Sequence, residues 1–164
     1  MKPIRRQLLQ AAGAAVAALG VNASSWGAEP NVAGSWKLVS AVSEELATGK
    51  KTALLGEHPK GYIIYTPQGR MMALVVRETR SPPKVDEDRI NLHKYMYAYS
   101  GRYTVEGEKV VHHVDVSWNE SWTGTDQVRF FKLEGDRLTI TTAPQKNAIT
   151  GIENISVFVW ERER

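Results

Sequence analysis

Tyr99-Ser100-Gly101-Arg102-Tyr103-Thr104-Val105, the break Glu106-Gly107-Glu108-Lys109, and Val110-Val111-His112-His113-Val114-Asp115-Val116-Ser117-Trp118 form the stretch that decides the fold. Tyr99, Gly101, Tyr103 and Val105 are apolar or small, and the residues between them, Ser100, Arg102 and Thr104, are polar. Beyond the break, Val110, His112, Val114, Val116 and Trp118 repeat the period. Two period-two runs joined by a Gly-containing turn predict an antiparallel hairpin with one buried face.

The same rhythm extends in both directions. Upstream, residues 34–40 read as a strand with Trp36 and Leu38 on one face, and 61–66 as a second strand ended by the turn Pro67-Gln68-Gly69. Residues 70–77 return as a third strand, apolar on both sides and so expected to be covered on both. The polar stretch 44–58 reads as a loop or ragged hairpin, and Ser81-Pro82-Pro83 breaks the sheet. One helix is expected over 86–98, capped by Asp86, with Ile90, His93 and Tyr97 near one face. Downstream come strands at 125–133 and 137–142 around a Glu134-Gly135-Asp136 turn, a loop at 143–154, and a last strand at 155–162. The expectation is an all-β fold: an eight-stranded antiparallel barrel with one short helix, holding packed side chains or one small ligand.

Residues 1–28 have a different character. Lys2, Arg5 and Arg6 precede an Ala-rich apolar run from Leu8 to Val21, and small residues follow. That is the layout of an export signal, cut after Ala23 or Gly27, and the run is too short and Ala-rich for a membrane span. Arg5-Arg6-Gln7-Leu8-Leu9 resembles a twin-arginine signal, with Ile4 and Gln10 departing from that pattern. The expected product is a periplasmic or secreted domain over 29–164, with no transmembrane anchor once the signal is removed.

The signal also carries the whole charge imbalance. The chain has a formal net charge of +3, and setting Lys2, Arg5 and Arg6 aside from its 21 basic residues leaves as many as its 18 acidic ones. A formally neutral domain lacks the electrostatic footprint of a nucleic-acid binder. With no cysteine, there is no disulfide, thiol nucleophile or thiolate metal site.

Several blocks together resemble a known family. Gly34-Ser35-Trp36 is similar to the lipocalin Gly-x-Trp signature. Gly61-Tyr62-Ile63-Ile64-Tyr65-Thr66-Pro67-Gln68-Gly69-Arg70-Met71 resembles the second and third strands of bacterial and fungal lipocalin-like domain proteins. Tyr99-Ser100-Gly101-Arg102-Tyr103, Val111-His112-His113-Val114, Trp122-Thr123-Gly124-Thr125 and Val128-Arg129-Phe130-Phe131 resemble its central block, and Gly135-Asp136-Arg137-Leu138 and Val159-Trp160-Glu161-Arg162 its end. The resemblance spans the whole domain and implies a barrel with a central cavity more strongly than it implies a reaction. It also suggests that Arg162 stacks on Trp36 and closes the barrel base.

Within such a barrel the candidate ligand-binding residues are Tyr99, Tyr103, His112, Trp118 and Arg129. Parity with Val110, Val114 and Val116 turns His112 inward, as a satisfied core histidine bonded to a Tyr hydroxyl or as a cavity-wall group that orients a ligand. One β-bulge within 110–118 would invert that assignment and bring His113 and Asp115 inside together. Otherwise those two form a solvated outer pair. Neighbouring strand residues face opposite ways, so His112 and His113 cannot chelate one metal, and no metal or other cofactor is expected. Arg129 lies on a strand with two mixed faces; turned inward, it must be paired or meet an anion. Trp118 and Trp122 bracket a strand-end loop, a packed plug or a binding mouth, with the mouth favoured.

The leading functional expectation is therefore binding of a small, largely apolar or amphipathic molecule in the cavity. The alternative is an isomerase, cyclase or dehydratase in the same cavity, with His112 as general acid or base and a Tyr hydroxyl or Arg129 stabilising negative charge. No nucleophile elbow, phosphate loop or dinucleotide fingerprint is present.

Overall fold

Alternation on each strand builds a wall with one dry face, and closure of that wall buries it. The computed structural model describes residues 31–146 and 151–164, so the export signal expected over residues 1–28 lies outside the described residues. The strands are β1 (Gly34–Glu45), β2 (Lys51–Ala53), β3 (Lys60–Tyr65), β4 (Arg70–Val76), β5 (Met96–Glu106), β6 (Lys109–Ser117), β7 (Asp126–Glu134), β8 (Arg137–Thr142), β9 (Gln145–Lys146) and β10 (Glu153–Arg162). Helix α1 (Asp86–Lys94) precedes β5, and a 3-10 turn, Glu120–Trp122, follows β6.

The sheet runs β2-β1-β3-β4-β5-β6-β7-β8-β10-β9, and pairing of β1 with β10 closes it. Eight long strands form the antiparallel barrel; β2 and β9 are short additions along β1 and β10. The interior alternates as period two requires: Ile63 and Tyr65 on β3, Met71, Ala73 and Val75 on β4, Leu138, Ile140 and Thr142 on β8 are all buried. The base is sealed where Arg162 places its guanidinium 4.1 Å from the Trp36 ring centroid. Trp36 is wholly buried and donates its indole N–H to the Val32 carbonyl at 2.9 Å.

Two bulges shift the parity within strands. On β1 the register slips between Leu38 and Ser40, so burial passes from Trp36 and Leu38 to Ala41. On β6 the partners of Ser100 and Gly101 are Val116 and Val114, leaving Asp115 as the extra residue. The bulge lies downstream of His112, which stays inward, but Val116 turns out and is 63% exposed, against the expected alternation. The outer His113 also takes a different partner: Asp126, at 2.7 Å, while Asp115 forms a two-pronged pair with Arg70.

Gly101 sits at that bulge because the strands close tightly there. A Cβ at this position would collide with the His113 carbonyl and lie 3.0 Å from Val114 Cα. Gly101→Ala is expected to cost about 2–3 kcal/mol by overpacking against backbone that cannot yield, read as a lowered urea midpoint.

Three further expectations are corrected. The helix ends at Lys94 instead of extending to residue 98, because Met96, Tyr97 and Ala98 pair with Val76, Val75 and Leu74. Val85 is its N-cap, and the Asp88 carboxylate, not Asp86, accepts the exposed N–H groups of Lys84 and Val85. Ile90 faces solvent and α1 buries none of its residues. Finally, β4 is covered on one face only. Met72 and Leu74 are 57% and 48% exposed, beside Ile64 and Tyr62 on β3, because none of the described residues covers this part of the wall from outside.

Candidate functional site

His112 sits midway along β6, across from Tyr103 on β5 and Gln127 on β7, and is fully buried. Both ring nitrogens are occupied. The Tyr65 hydroxyl lies 2.8 Å from Nε2 and the Tyr99 hydroxyl 2.9 Å from Nδ1. Burial, then the nearby Arg129 and His113, push its pKa down to about 3, so the imidazole is neutral at neutral pH. Burial likewise raises the pKa of both Tyr65 and Tyr99, keeping them as phenols, and the charge of Arg129 opposes that rise in each.

Three neutral groups carry three protons for two contacts, which fixes the direction of the chain. If the imidazole donated to Tyr65, the Tyr65 hydroxyl proton would be buried without an acceptor, since His112 is its one polar partner among the described residues. An unmet buried donor costs about 1–3 kcal/mol. Tyr65 therefore donates to Nε2, Nδ1–H donates to Tyr99, and the Tyr99 hydroxyl proton is left over. Nitrogen-15 NMR of the His112 ring should show the Nδ1–H tautomer, still neutral at pH 5. A protonated Nε2 would reverse the relay.

Arg129 on β7 turns inward and is 6% exposed. Its Nη1 donates to the Val128 carbonyl at 2.9 Å and its Nη2 to Gln127 Oε1 at 3.2 Å. No described carboxylate lies within ion-pair distance of it. Gln127 is in turn fixed by the Thr125 hydroxyl at 2.9 Å, which donates to the Trp122 carbonyl. The Arg129 guanidinium also lies 5.8 Å from the Trp122 ring centroid, so the loop after β6 and the buried cation brace each other.

These groups border an interior cavity of about 90 Å³. Tyr99, His112, Arg129 and Trp122 lie in its wall, with Tyr97, Phe158 and Trp160 completing an aromatic lining. The indole N–H of Trp160 is buried and has no described partner. The Trp160 indole, the proton that the relay leaves on Tyr99 and the Arg129 guanidinium thus present donors to a cavity that Thr142, Gln145 and Ser156 also line.

Of the five residues picked from sequence, the fold brings Tyr99, His112 and Arg129 together in the wall. Tyr103 stands behind it, donating to the Thr66 carbonyl at 2.9 Å and meeting Tyr65 edge-on at 4.9 Å. Trp118 is set back too, edge-on against Tyr97 at 5.2 Å and Trp122 at 4.9 Å. Between the two tryptophans it is Trp122 that reaches the cavity. Tyr65 and Trp160 escaped the sequence reading of the site, although the inward parity of their strands could have suggested both. Among the described residues no group of three His, Cys, Asp or Glu could hold a metal ion, and no helix is long and apolar enough to cross a membrane.

Comparison with known proteins agrees with this architecture. The family model described as a lipocalin-like domain matches residues 33–163. The chain is also 33% identical over 85 residues to the 4'-hydroxy-3'-methoxypropiophenone carrier protein ppsC of Aspergillus oryzae, covering 47% of this chain and 76% of that relative.

Proposed function

The chain belongs to the lipocalin-like domain family, and from that premise we propose that it is an exported carrier that holds a small, largely apolar molecule in its barrel. The observation that carries this reading is the aromatic-lined cavity with the donors Tyr99, Arg129 and Trp160 in its wall. The relative named as a carrier of an aryl ketone supports it, since such a molecule joins an apolar body to an acceptor oxygen. About 90 Å³ is well below the several hundred Å³ of drug-sized sites, which limits the cargo to a small molecule.

The enzymatic alternative draws no support from His112. An imidazole bonded at both nitrogens and held neutral down to about pH 3 is a poor general base, and its role here is to orient Tyr99.

Native mass spectrometry of the protein purified from its own host tests the carrier reading, with a bound small molecule as the expected result. An empty barrel whose tryptophan fluorescence is also unmoved by a broad set of lipophilic compounds would defeat it. Export is tested separately by cell fractionation and N-terminal sequencing, with a start near residue 24 or 28 expected. Retention of Met1 in the cytoplasm would defeat that part alone.

A further inference from the structure

We infer that the molecule held in the barrel carries an oxyanion on a single aromatic ring, a carboxylate or an ionised phenol, seated on Arg129 with the Tyr99 hydroxyl as a second donor. This rests on the carrier reading above and names the chemistry of its cargo.

The argument begins with charge. A buried guanidinium without a counter-charge is costly, and among the described residues Arg129 meets neutral acceptors, the Val128 carbonyl, the Gln127 amide oxygen and the Tyr99 hydroxyl oxygen, but no carboxylate. The titratable groups facing it are Tyr99 on β5, His112 on β6 and, behind them, Tyr65 on β3, all neutral at pH 7. Outside the described residues the sequence holds a single acidic residue, Glu29. The counter-charge is therefore left to the ligand.

Donor direction makes a second, independent demand. The relay leaves the Tyr99 hydroxyl proton with no hydrogen-bonded acceptor among the described residues, and Arg129, having donors only, cannot take it. An acceptor oxygen on the ligand would meet that proton, and the same oxyanion would satisfy both groups. The aromatic walls set the body: Tyr97, Trp122 and Phe158 offer faces and edges to one flat ring. A bare inorganic anion would satisfy Arg129 but leave that apolar lining unfilled.

Two probe pairs test this on the full chain, each an oxyanion and its neutral counterpart: 4-nitrophenol with 4-nitroanisole, and benzoate with benzamide. Calorimetry gives the affinities, and visible absorbance reports the ionisation of bound 4-nitrophenol against pH. The oxyanion member should bind roughly tenfold or more tightly in at least one pair. Bound 4-nitrophenol should ionise about one pH unit below the free phenol, the displaced proton passing to solvent. A preference in only one pair assigns the cargo to phenolates or to carboxylates. Arg129→Met should abolish the preference while 4-nitroanisole still binds, and Arg129→Lys should retain part of it.

Absence of an oxyanion preference in both pairs overturns the oxyanion while leaving the carrier reading intact, whereas a bound phenol that ionises at higher pH than the free one rules out the phenolate alone. Binding of none of the four overturns both. The comparison within each pair uses the unaltered protein, so it decides the matter even if Arg129→Met does not fold.

Discussion

Trp36→Ala is expected to lower stability by about 3–5 kcal/mol, the cost of deleting a large, fully buried side chain from a core that cannot collapse around the gap. The residue does three things at once. It fills the barrel base, donates to the Val32 carbonyl, and supplies the ring on which Arg162 rests. Arg162 in turn bonds the Ala33 carbonyl at 3.0 Å and meets Asp136 at 3.4 Å, so it ties the start of β1 to the turn before β8. Small domains hold a net stability of only about 5–15 kcal/mol, so this one change should consume a large share of it. Trp36→Phe separates the roles: it keeps a ring in the base and loses the hydrogen bond, for about 1 kcal/mol beyond any packing change. Urea unfolding of the three proteins provides the measurement. A loss under about 1 kcal/mol for Trp36→Ala would show that the base is not held there.

Much of this architecture was legible because a closed barrel wall alternates strictly and β5–β6 display that alternation without interruption up to His112. The inward face of β6 could be read at Val110, His112 and Val114. It could not be read at Val116, since a bulge at Asp115 changes parity without leaving a Gly or Pro in its own strand. Apolar residues on both sides of β4 suggested double cover, yet a single-walled barrel has one interior and leaves Met72 and Leu74 outside. Local pattern also failed at the end of α1, where Met96 to Ala98 suit a helix but are claimed by pairing with β4, a contact distant in sequence.

The candidate site divides along the same line. Tyr99, His112 and Arg129 were accessible because each lies on an inward face as a polar group among apolar ones. The partner that orients His112 was not: Tyr65 comes from β3, 47 positions away in sequence, and reads locally as one of two tyrosines in an apolar strand. The choice of Trp122 over Trp118 for the wall depends on the path of the Glu120–Trp122 turn. Side-chain type gave the candidates, and closure of the sheet selected among them.

Acid should unfold this protein largely through His112. In the unfolded chain its imidazole titrates near 6.5, while in the barrel it stays neutral to about pH 3. Above pH 6.5 neither state is protonated there, and the full stability is present. Between those values the unfolded state binds one more proton, so stability declines as pH falls, by about 1.4 kcal/mol per unit and roughly 4 kcal/mol by pH 3. His112→Gln removes this titration while imitating the relay, its carbonyl accepting from Tyr65 and its amide donating to Tyr99. The variant should be somewhat less stable than the parent at pH 7 and should lose far less on acidification, so that the two stability profiles converge near pH 4–5. Asp136, held low chiefly by its bond to Arg164, makes a surface contribution of the same sign that remains in both proteins and cancels from the difference. Urea unfolding at several pH values measures the two slopes. Parallel profiles would mean that the imidazole titrates freely in the folded barrel, and the fixed proton order Tyr65 to His112 to Tyr99 would fall with that result. Converging profiles would establish that the imidazole stays neutral in the barrel across the whole neutral range, the condition on which the proton order from Tyr65 to Tyr99 rests.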